Sequence, residues 1–94
     1  MKFRVALGEV LRELRADSGL TLRQLSSKSN VSMGYISEVE RGLKELSSEF
    51  MASIANALQI PLHQIIIEAG HRIQMSEVHT YESIAPRLTE VIYN

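Results

Sequence analysis

The sequence GLTLRQLSSKSNVSMGYISEVERG, from Gly19 to Gly42, decides the fold of this 94-residue chain. It contains two side chains of the kind that begin helices, Thr21 and Ser32, which lie eleven residues apart and can each accept a hydrogen bond from a free backbone N–H group. Between them, Asn30 stands where a chain leaving a helix usually needs a positive φ, which Asn tolerates better than any residue except Gly. Gly42 is placed to end the second helix in the same way. The pattern predicts two short helices joined by a tight turn.

Five apolar residues in this stretch are spaced to hold the two helices, crossed, on a common core. They are Leu22, Leu25, Val31, Ile36 and Val39. Two crossed helices joined by a short turn form a helix-turn-helix motif.

Several short sequences in and around this motif resemble the Cro/C1-type, lambda-repressor-like transcriptional regulators, also called the xenobiotic-response-element family. They are Gly19–Thr21, Gln24–Leu25, Val31–Ser32, Tyr35–Ser37 and Glu40–Gly42. The resemblance extends from about Ala6 to Ala69, and the run from Ser32 to Gly42 is similar to actinobacterial regulators of Clp protease genes. It implies an all-α, five-helix, lambda-repressor-like DNA-binding domain. Ser26 and Ser29 stand where the family usually has Ala, and Asn30 where it has Gly, but all three are compatible with the turn.

Apolar spacing predicts helices on both sides of the motif. Leucine and valine side chains repeated at three and four residues predict a first helix over residues 5–18, stopped by Gly19. A fourth helix is expected to begin after a cap at Ser47 or Ser48 and to run to about Leu58. The residues expected to face the core from it are Phe50, Met51, Ile54, Ala55 and Leu58.

Pro61 suits the first turn of a helix, so a fifth helix is expected over Leu62–Ala69, ended by Gly70. These five helices would complete a DNA-binding domain over residues 1–70. Its first half carries the positive charge, because residues 1–46 hold eight Lys and Arg against six Asp and Glu. The net charge of the whole chain is −1, so a DNA-binding surface is expected in the first half.

Residues 71–94 form a C-terminal extension beyond the family domain. Residues 72–75 alternate like a short strand, and Pro86 interrupts an otherwise helical apolar spacing. The extension is therefore expected to be helical on both sides of Pro86, with a kink or break there. We expect the extension to form most of a homodimer interface, because its apolar side chains need a surface to cover them. The alternative is that it folds back over Ile65 and Ile66 of its own chain. The residues expected between the two copies are Val78, Tyr81, Ile84 and Leu88.

In a helix-turn-helix the second helix enters the major groove, where its outward residues contact the bases. The outward residues here are expected to be Met33, Gly34, Tyr35, Ser37 and Glu38. Glu38 can accept a hydrogen bond from cytosine N4, and Gly34 permits close backbone approach. Two alternatives stay open: Tyr35 packs on a neighbouring helix, or Glu38 forms an ion pair with Arg41 or Lys44.

Cations and helix N-termini contact phosphates without regard to base sequence. The residues expected in this role are Thr21, Arg23, Gln24, Lys28, Arg41 and Lys44. Arg23 matches a position where the family commonly touches the backbone, and the alternative is an exposed Arg without a partner. The resemblance also implies a structural brace, an ion pair between Arg15 late in the first helix and Glu40 before Arg41-Gly42.

Other classes of function have little support. The chain has no Cys, and His63, His71 and His79 are spaced by eight residues, so no metal site is expected. No nucleophile triad or phosphate loop is evident, so neither an enzyme nor a cofactor is expected. The longest apolar run, Ile65–Ile67, is far shorter than the ~20 residues that span a membrane, so a cytoplasmic protein is expected. The alternative to a DNA-binding regulator is an antitoxin-like or accessory module whose tail binds a partner protein.

Overall fold

The computed structural model describes residues 1–77, which form five α-helices and no β-strand. The helices are α1 (Phe3–Asp17), α2 (Leu22–Ser29), α3 (Met33–Glu40), α4 (Ser48–Leu58) and α5 (Leu62–Ser76). The all-α, five-helix fold predicted from the sequence is therefore confirmed for this part of the chain.

The two helices of the motif, α2 and α3, begin and end where their local sequence dictates. The Thr21 Oγ1 accepts a hydrogen bond from the Gln24 N–H at 3.1 Å, and the Gln24 Oε1 accepts one from the Thr21 N–H at 2.9 Å, which completes a capping box. The Ser32 Oγ accepts from the Tyr35 N–H at 3.1 Å and caps α3. Asn30 has a φ of 61°, as predicted for the residue that ends α2.

Two serines stabilise the turn between α2 and α3. They are the serines that stand where the family that this sequence resembles usually has Ala. The Ser26 Oγ donates a hydrogen bond to the Val31 carbonyl at 2.6 Å. The buried Ser29 Oγ accepts one from the Val31 N–H at 3.3 Å. Both backbone polar groups of Val31 are therefore paired by nearby side chains rather than left unsatisfied.

The core lies where α1 crosses α3 and α5 and where α2 meets α3 and α4. Removing apolar side chains from water supplies most of the driving force for this packing. The largest side chains that are fully buried are Leu7, Leu11, Leu25, Ile36, Ile54 and Ile65. Because α1 contacts both α3 and α5, it fixes the orientation of the second helix of the motif.

α5 is longer than predicted, because it continues through Gly70 to Ser76. The predictions that Gly70 ends the helix and that residues 72–75 resemble a strand are therefore wrong. A Gly inside a helix costs only about 1 kcal/mol relative to Ala. The buried Ala69 and the partly buried Ile73 pack against the core on either side of Gly70, and this packing offsets the cost.

Phe50 does not face the core as predicted, since 42% of it is exposed. It lies in the first turn of α4, where its N–H donates to the capping Ser47 Oγ at 3.2 Å. The next residue, Met51, is the one that turns into the core. The Phe50 ring instead meets the Tyr35 ring edge-on, with centroids 5.4 Å apart.

The residues predicted to form a dimer interface lie outside the described residues. They are Val78, Tyr81, Ile84 and Leu88. The boundary predicted between a domain over residues 1–70 and an extension over residues 71–94 also stays a prediction.

Candidate nucleic-acid interface

α3 presents one face to the core and the opposite face to solvent. Ile36 and Val39 are each 1% exposed, whereas Met33 is 42% exposed. Gly34 has no heavy atom within 4 Å of the place where a Cβ would stand. The first turn of α3 is therefore open to close approach by a ligand.

Farther along α3, Ser37 and Glu38 are half-buried. The Glu38 Oε2 lies 3.9 Å from the Lys44 Nζ, so the ion pair considered as an alternative from the sequence is present. The Glu38 side chain is 40% exposed and the Lys44 side chain 57%, so water reaches both partners of this pair. Exposed pairs of this kind contribute about 0–1 kcal/mol, so a ligand group can replace either partner at little cost.

Tyr35 packs on a neighbouring helix, which is the other alternative considered from the sequence. Its hydroxyl donates a hydrogen bond to the Glu45 carbonyl, and its ring contacts Phe50 of α4. The loop between α3 and α4 is held from a second side by Arg4, whose Nε donates to the Gly42 carbonyl at 3.1 Å. Tyr35 and Arg4 therefore fix the backbone that carries Lys44.

The N-terminus of α2 places a cation beside free helix N–H groups. Arg23 is exposed and makes no ion pair or side-chain hydrogen bond with another residue in the range 1–77. The Thr21 and Gln24 side chains are engaged in the capping box, which leaves the Gln24 amide NH₂ group available as a donor. A helix N-terminus with an adjacent Arg attracts anions.

The other predicted phosphate contacts divide between two places. Arg41 lies at the C-terminal end of α3 and borders a cavity together with Ser37 and Leu22. Lys28, in the last turn of α2, borders a different cavity with Gln59 at the end of α4. The structure thus brings Arg41 to the α2–α3 surface and places Lys28 toward α4.

An ion pair joins α1 to the C-terminal end of α3. The Arg15 Nε and Nη2 donate to the two carboxylate oxygens of Glu40 at 2.7 and 2.9 Å. The Arg15 side chain is 16% exposed and the Glu40 side chain 5%. Because Arg15 donates these hydrogen bonds to the Glu40 carboxylate, the pKa of Arg15 is raised above its ordinary value.

Arg15 also contacts the segment that leads into α2. Its Nη1 donates to the Leu20 carbonyl at 2.9 Å. One guanidinium therefore joins α1, the start of α2 and the end of α3 through a planar set of donors that a Lys cannot reproduce. This arrangement fixes α3 relative to α2 and leaves the outer faces of both helices to solvent.

Sequence reasoning missed Gly8, which brings α1 and α3 into contact. A Cβ at Gly8 would stand 2.3 Å from the Val39 carbonyl oxygen and 2.9 Å from that of Glu40. A Gly in the middle of a strongly amphipathic helix is the signal that could have revealed this close approach. Arg12 was also left without a role, although it borders the same cavity as Arg41.

Residues 1–77 contain no cluster of three His, Asp or Glu side chains that could hold a metal ion. No single helix in this range is long and apolar enough to cross a membrane. The helices α4 and α5 reach that length and apolar content only when taken together, and the pair is bent by 106°.

Comparison with known proteins shows which family this chain is similar to. A family model described as a helix-turn-helix domain matches residues 6–65. The transcriptional regulator ClgR of Mycobacterium tuberculosis is 49% identical over 74 residues, which cover 79% of this chain and 66% of that regulator. This chain therefore spans about two-thirds of the length of that relative.

Two solved structures extend the comparison. A crystal structure of the clp gene regulator ClgR from Corynebacterium glutamicum superimposes with a TM-score of 0.79 at 43% identity, covering 99% of this chain and 96% of the other. The restriction-modification controller protein C.AhdI from Aeromonas hydrophila has a TM-score of 0.65 at 34% identity, and the match covers 66% of this chain and 94% of the controller protein.

Proposed function

The chain belongs to the helix-turn-helix family of transcriptional regulators, and we propose that it binds a pseudo-palindromic DNA operator as a homodimer. Its relatives are named regulators rather than enzymes, in agreement with the sequence analysis. The observation that carries the proposal is the outer surface of α2 and α3, where an exposed α3 face adjoins a cationic α2 N-terminus. The Arg15–Glu40 ion pair holds these two helices in place.

In this proposal the first turns of α3 contact base edges in the major groove. Met33 is exposed and can pack on a thymine methyl group, while Gly34 lets the backbone approach. Glu38 can exchange Lys44 for the N4 amino group of a cytosine, and Ser37 can bond to several bases. Tyr35 acts indirectly, because its hydroxyl already holds the loop after α3.

The phosphate contacts come from both ends of the motif. Arg23 and the α2 N-terminus bind one stretch of backbone, with Thr21 and Gln24 at the same helix end. Arg41 and Lys44 follow α3 and bind further phosphates of the backbone. The position of Lys28 toward α4 makes it the weakest of the proposed phosphate contacts.

The geometry of DNA supports the proposal of a homodimer. Two copies related by a two-fold axis place their recognition helices one DNA turn apart, about 34–36 Å, and so double the specific contacts. α5 supports this proposal, because Ile66, Ile67 and Met75 are 44%, 51% and 71% exposed on the helix that leads into the extension. We propose that the extension supplies most of the interface, through Val78, Tyr81, Ile84 and Leu88.

The names of the relatives also suggest a class of target gene. Two of them are described as ClgR, and the structure from Corynebacterium glutamicum is described as a clp gene regulator. We therefore propose that the operators of this chain include sites upstream of Clp protease genes.

Selection of bound sequences from a random duplex pool tests the proposal. We expect enrichment of one inverted repeat with half-sites about one DNA turn apart, and the repeat should occur upstream of clp genes in the source genome. Enrichment of a single half-site would contradict the dimer, and no enrichment would contradict sequence-specific binding.

Two variants then separate the proposed roles. Arg23→Ala should weaken binding to all duplexes alike and lower the slope of log affinity against log salt by about 0.9, because one phosphate contact is lost. Glu38→Gln should instead change the preferred base at one position of each half-site. If Arg23→Ala changes the selected sequence while Glu38→Gln leaves it intact, the assigned roles are wrong.

A further inference from the structure

A cavity of about 190 Å³ lies where α1, the start of α2 and the second half of α3 meet. Its lining residues are Arg12, Arg15, Leu22, Ser37, Glu40 and Arg41. Four of these belong to α1 or the end of α3, so the cavity lies at the same junction as the Arg15–Glu40 ion pair.

The charges around this cavity do not cancel. Arg15 and Glu40 neutralise each other through two hydrogen bonds. Arg12 is exposed and makes no ion pair or side-chain hydrogen bond with any residue in the described range, and the Arg41 Nε donates only to the Ser37 carbonyl, at 3.4 Å. Two guanidinium groups therefore border the cavity without a carboxylate partner. Planar guanidinium donors are suited to bind phosphate oxygens.

The cavity continues the surface that the proposed function places on DNA. Met33, Ser37 and Arg41 are spaced four residues apart and therefore follow one strip of α3. On the other side, Leu22 is the first residue of α2 and is adjacent to the exposed Arg23. A duplex that lies along the outer strip of α3 and across the α2 N-terminus therefore passes over this cavity.

We propose that Arg12 is a further DNA-contacting residue, and that Arg12 and Arg41 together bind one backbone phosphate at this cavity. The inference rests on the proposed function and adds a contact from α1, outside the helix-turn-helix motif. The same chemistry would also suit a free phosphate ion, so the experiment must separate the two sources.

The test measures affinity for the selected operator and for an unrelated duplex of equal length, each over a range of salt concentrations. Arg12→Ala and Arg41→Ala should each weaken binding about fivefold or more on both duplexes, because a lost charged hydrogen bond has this effect. The double variant should lose less than the product of the two single losses. Its log–log salt slope should fall by about 0.9, the value for one phosphate, rather than about 1.8 for two.

Lys2→Ala is the matched control, because Lys2 is an exposed, positively charged residue at the N-terminal end of α1 and does not line this cavity. This variant also removes one positive charge, but it should change the affinity and the salt slope much less than Arg12→Ala does. If Arg12→Ala binds like Lys2→Ala, the proposal is overturned. A double-variant slope lower by about 1.8 would overturn the shared phosphate.

Two further measurements keep the interpretation clear. The melting temperature of Arg12→Ala should equal that of the original protein, since Arg12 has no partner to lose among residues 1–77. Inorganic phosphate should raise the melting temperature of the free protein no more than chloride does at equal ionic strength. An Arg12-dependent rise together with unchanged duplex affinity would assign the site to free phosphate and overturn the proposal. Failure of the proposed function is distinct, because the unaltered protein would then bind operator and unrelated duplex equally.

Discussion

α1 holds α3 and α5 by different means. Against α3, the backbone of α1 at Gly8 approaches the end of α3 so closely that a Cβ does not fit, and the Arg15–Glu40 pair beside it is mostly buried. Against α5, Arg72 bridges Glu9 at 3.5 Å and also Glu13, and these three side chains are 30%, 41% and 59% exposed. The first contact is tight and shielded from water, whereas the ion pairs of the second are exposed to it.

The difference indicates which of the polar contacts of α1 help to fix the orientation of a helix. Breaking a shielded ion pair leaves a charge that water cannot fully solvate, and an extra atom at a close backbone contact forces helices apart. Exposed pairs exchange with water and salt at little cost. The helix proposed to contact bases is therefore fixed rigidly to α1, while the ion pairs at the far end of α5 add little stability.

The largest effect is expected from Gly8→Ala. The new Cβ would stand 2.3 Å from a backbone oxygen, so α1 and α3 must separate to admit it. We expect a loss of about 3 kcal/mol of unfolding free energy, at the upper end of the range for overpacking. Urea unfolding followed by circular dichroism measures it.

Gly70→Ala is the matched control, because both glycines lie inside 15-residue helices and Gly70 has nothing within 4 Å of its Cβ position. That variant should gain about 0.5–1 kcal/mol through helix propensity alone. Equal effects of the two substitutions would contradict the close approach of α1 and α3 at Gly8.

The next largest effect is expected from Arg15→Ala, which leaves Glu40 shielded and unpaired. Removing one partner of a buried pair costs about 3–5 kcal/mol, and the residual exposure of Arg15 lowers the expectation to about 2–3 kcal/mol. Operator affinity should fall as well, because α3 loses its link to the start of α2. Arg15→Lys keeps the charge but not the forked donors, and should recover only part of the stability. An unchanged melting temperature with reduced affinity would instead make Arg15 a direct phosphate contact.

Features set by neighbouring residues could be predicted from the sequence. The caps at Thr21 and Ser32 and the left-handed turn at Asn30 depend on side chains within three residues of the backbone groups that they serve. The family resemblance, confirmed by the match to a helix-turn-helix domain over residues 6–65, follows from the same local pattern.

Features set by distant residues could not be predicted in the same way. Helical spacing puts Tyr35 on a different side of α3 from Ile36 and Val39, whether it contacts DNA or packs on a neighbouring helix. Only the placement of Phe50 and Glu45 decides that it packs on α4. The extent of α5 depends on the packing of Ala69 and Ile73 against the core, which outweighs the stop signal of an exposed Gly. The roles of the proposed DNA-contacting residues stay predictions, since they depend on a ligand that lies outside the chain.

The smallest effect is expected from Arg72→Ala, which removes the exposed ion pairs between α5 and α1. Glu13 raises the pKa of Arg72 through a hydrogen bond, but the three side chains remain open to water, so the pair should contribute at most about 0.5–1 kcal/mol. The loss should shrink further in 1 M salt, where charges are screened over about 3 Å. A double-mutant cycle with Glu13→Gln, measured by urea unfolding at low and high salt, isolates the interaction from the loss of the Arg72 side chain's own packing. Operator affinity should be unchanged by either substitution, because neither residue borders the α2–α3 surface. A coupling energy as large as the loss in Arg15→Ala would contradict the difference between the ion pairs that α1 makes with α3 and with α5.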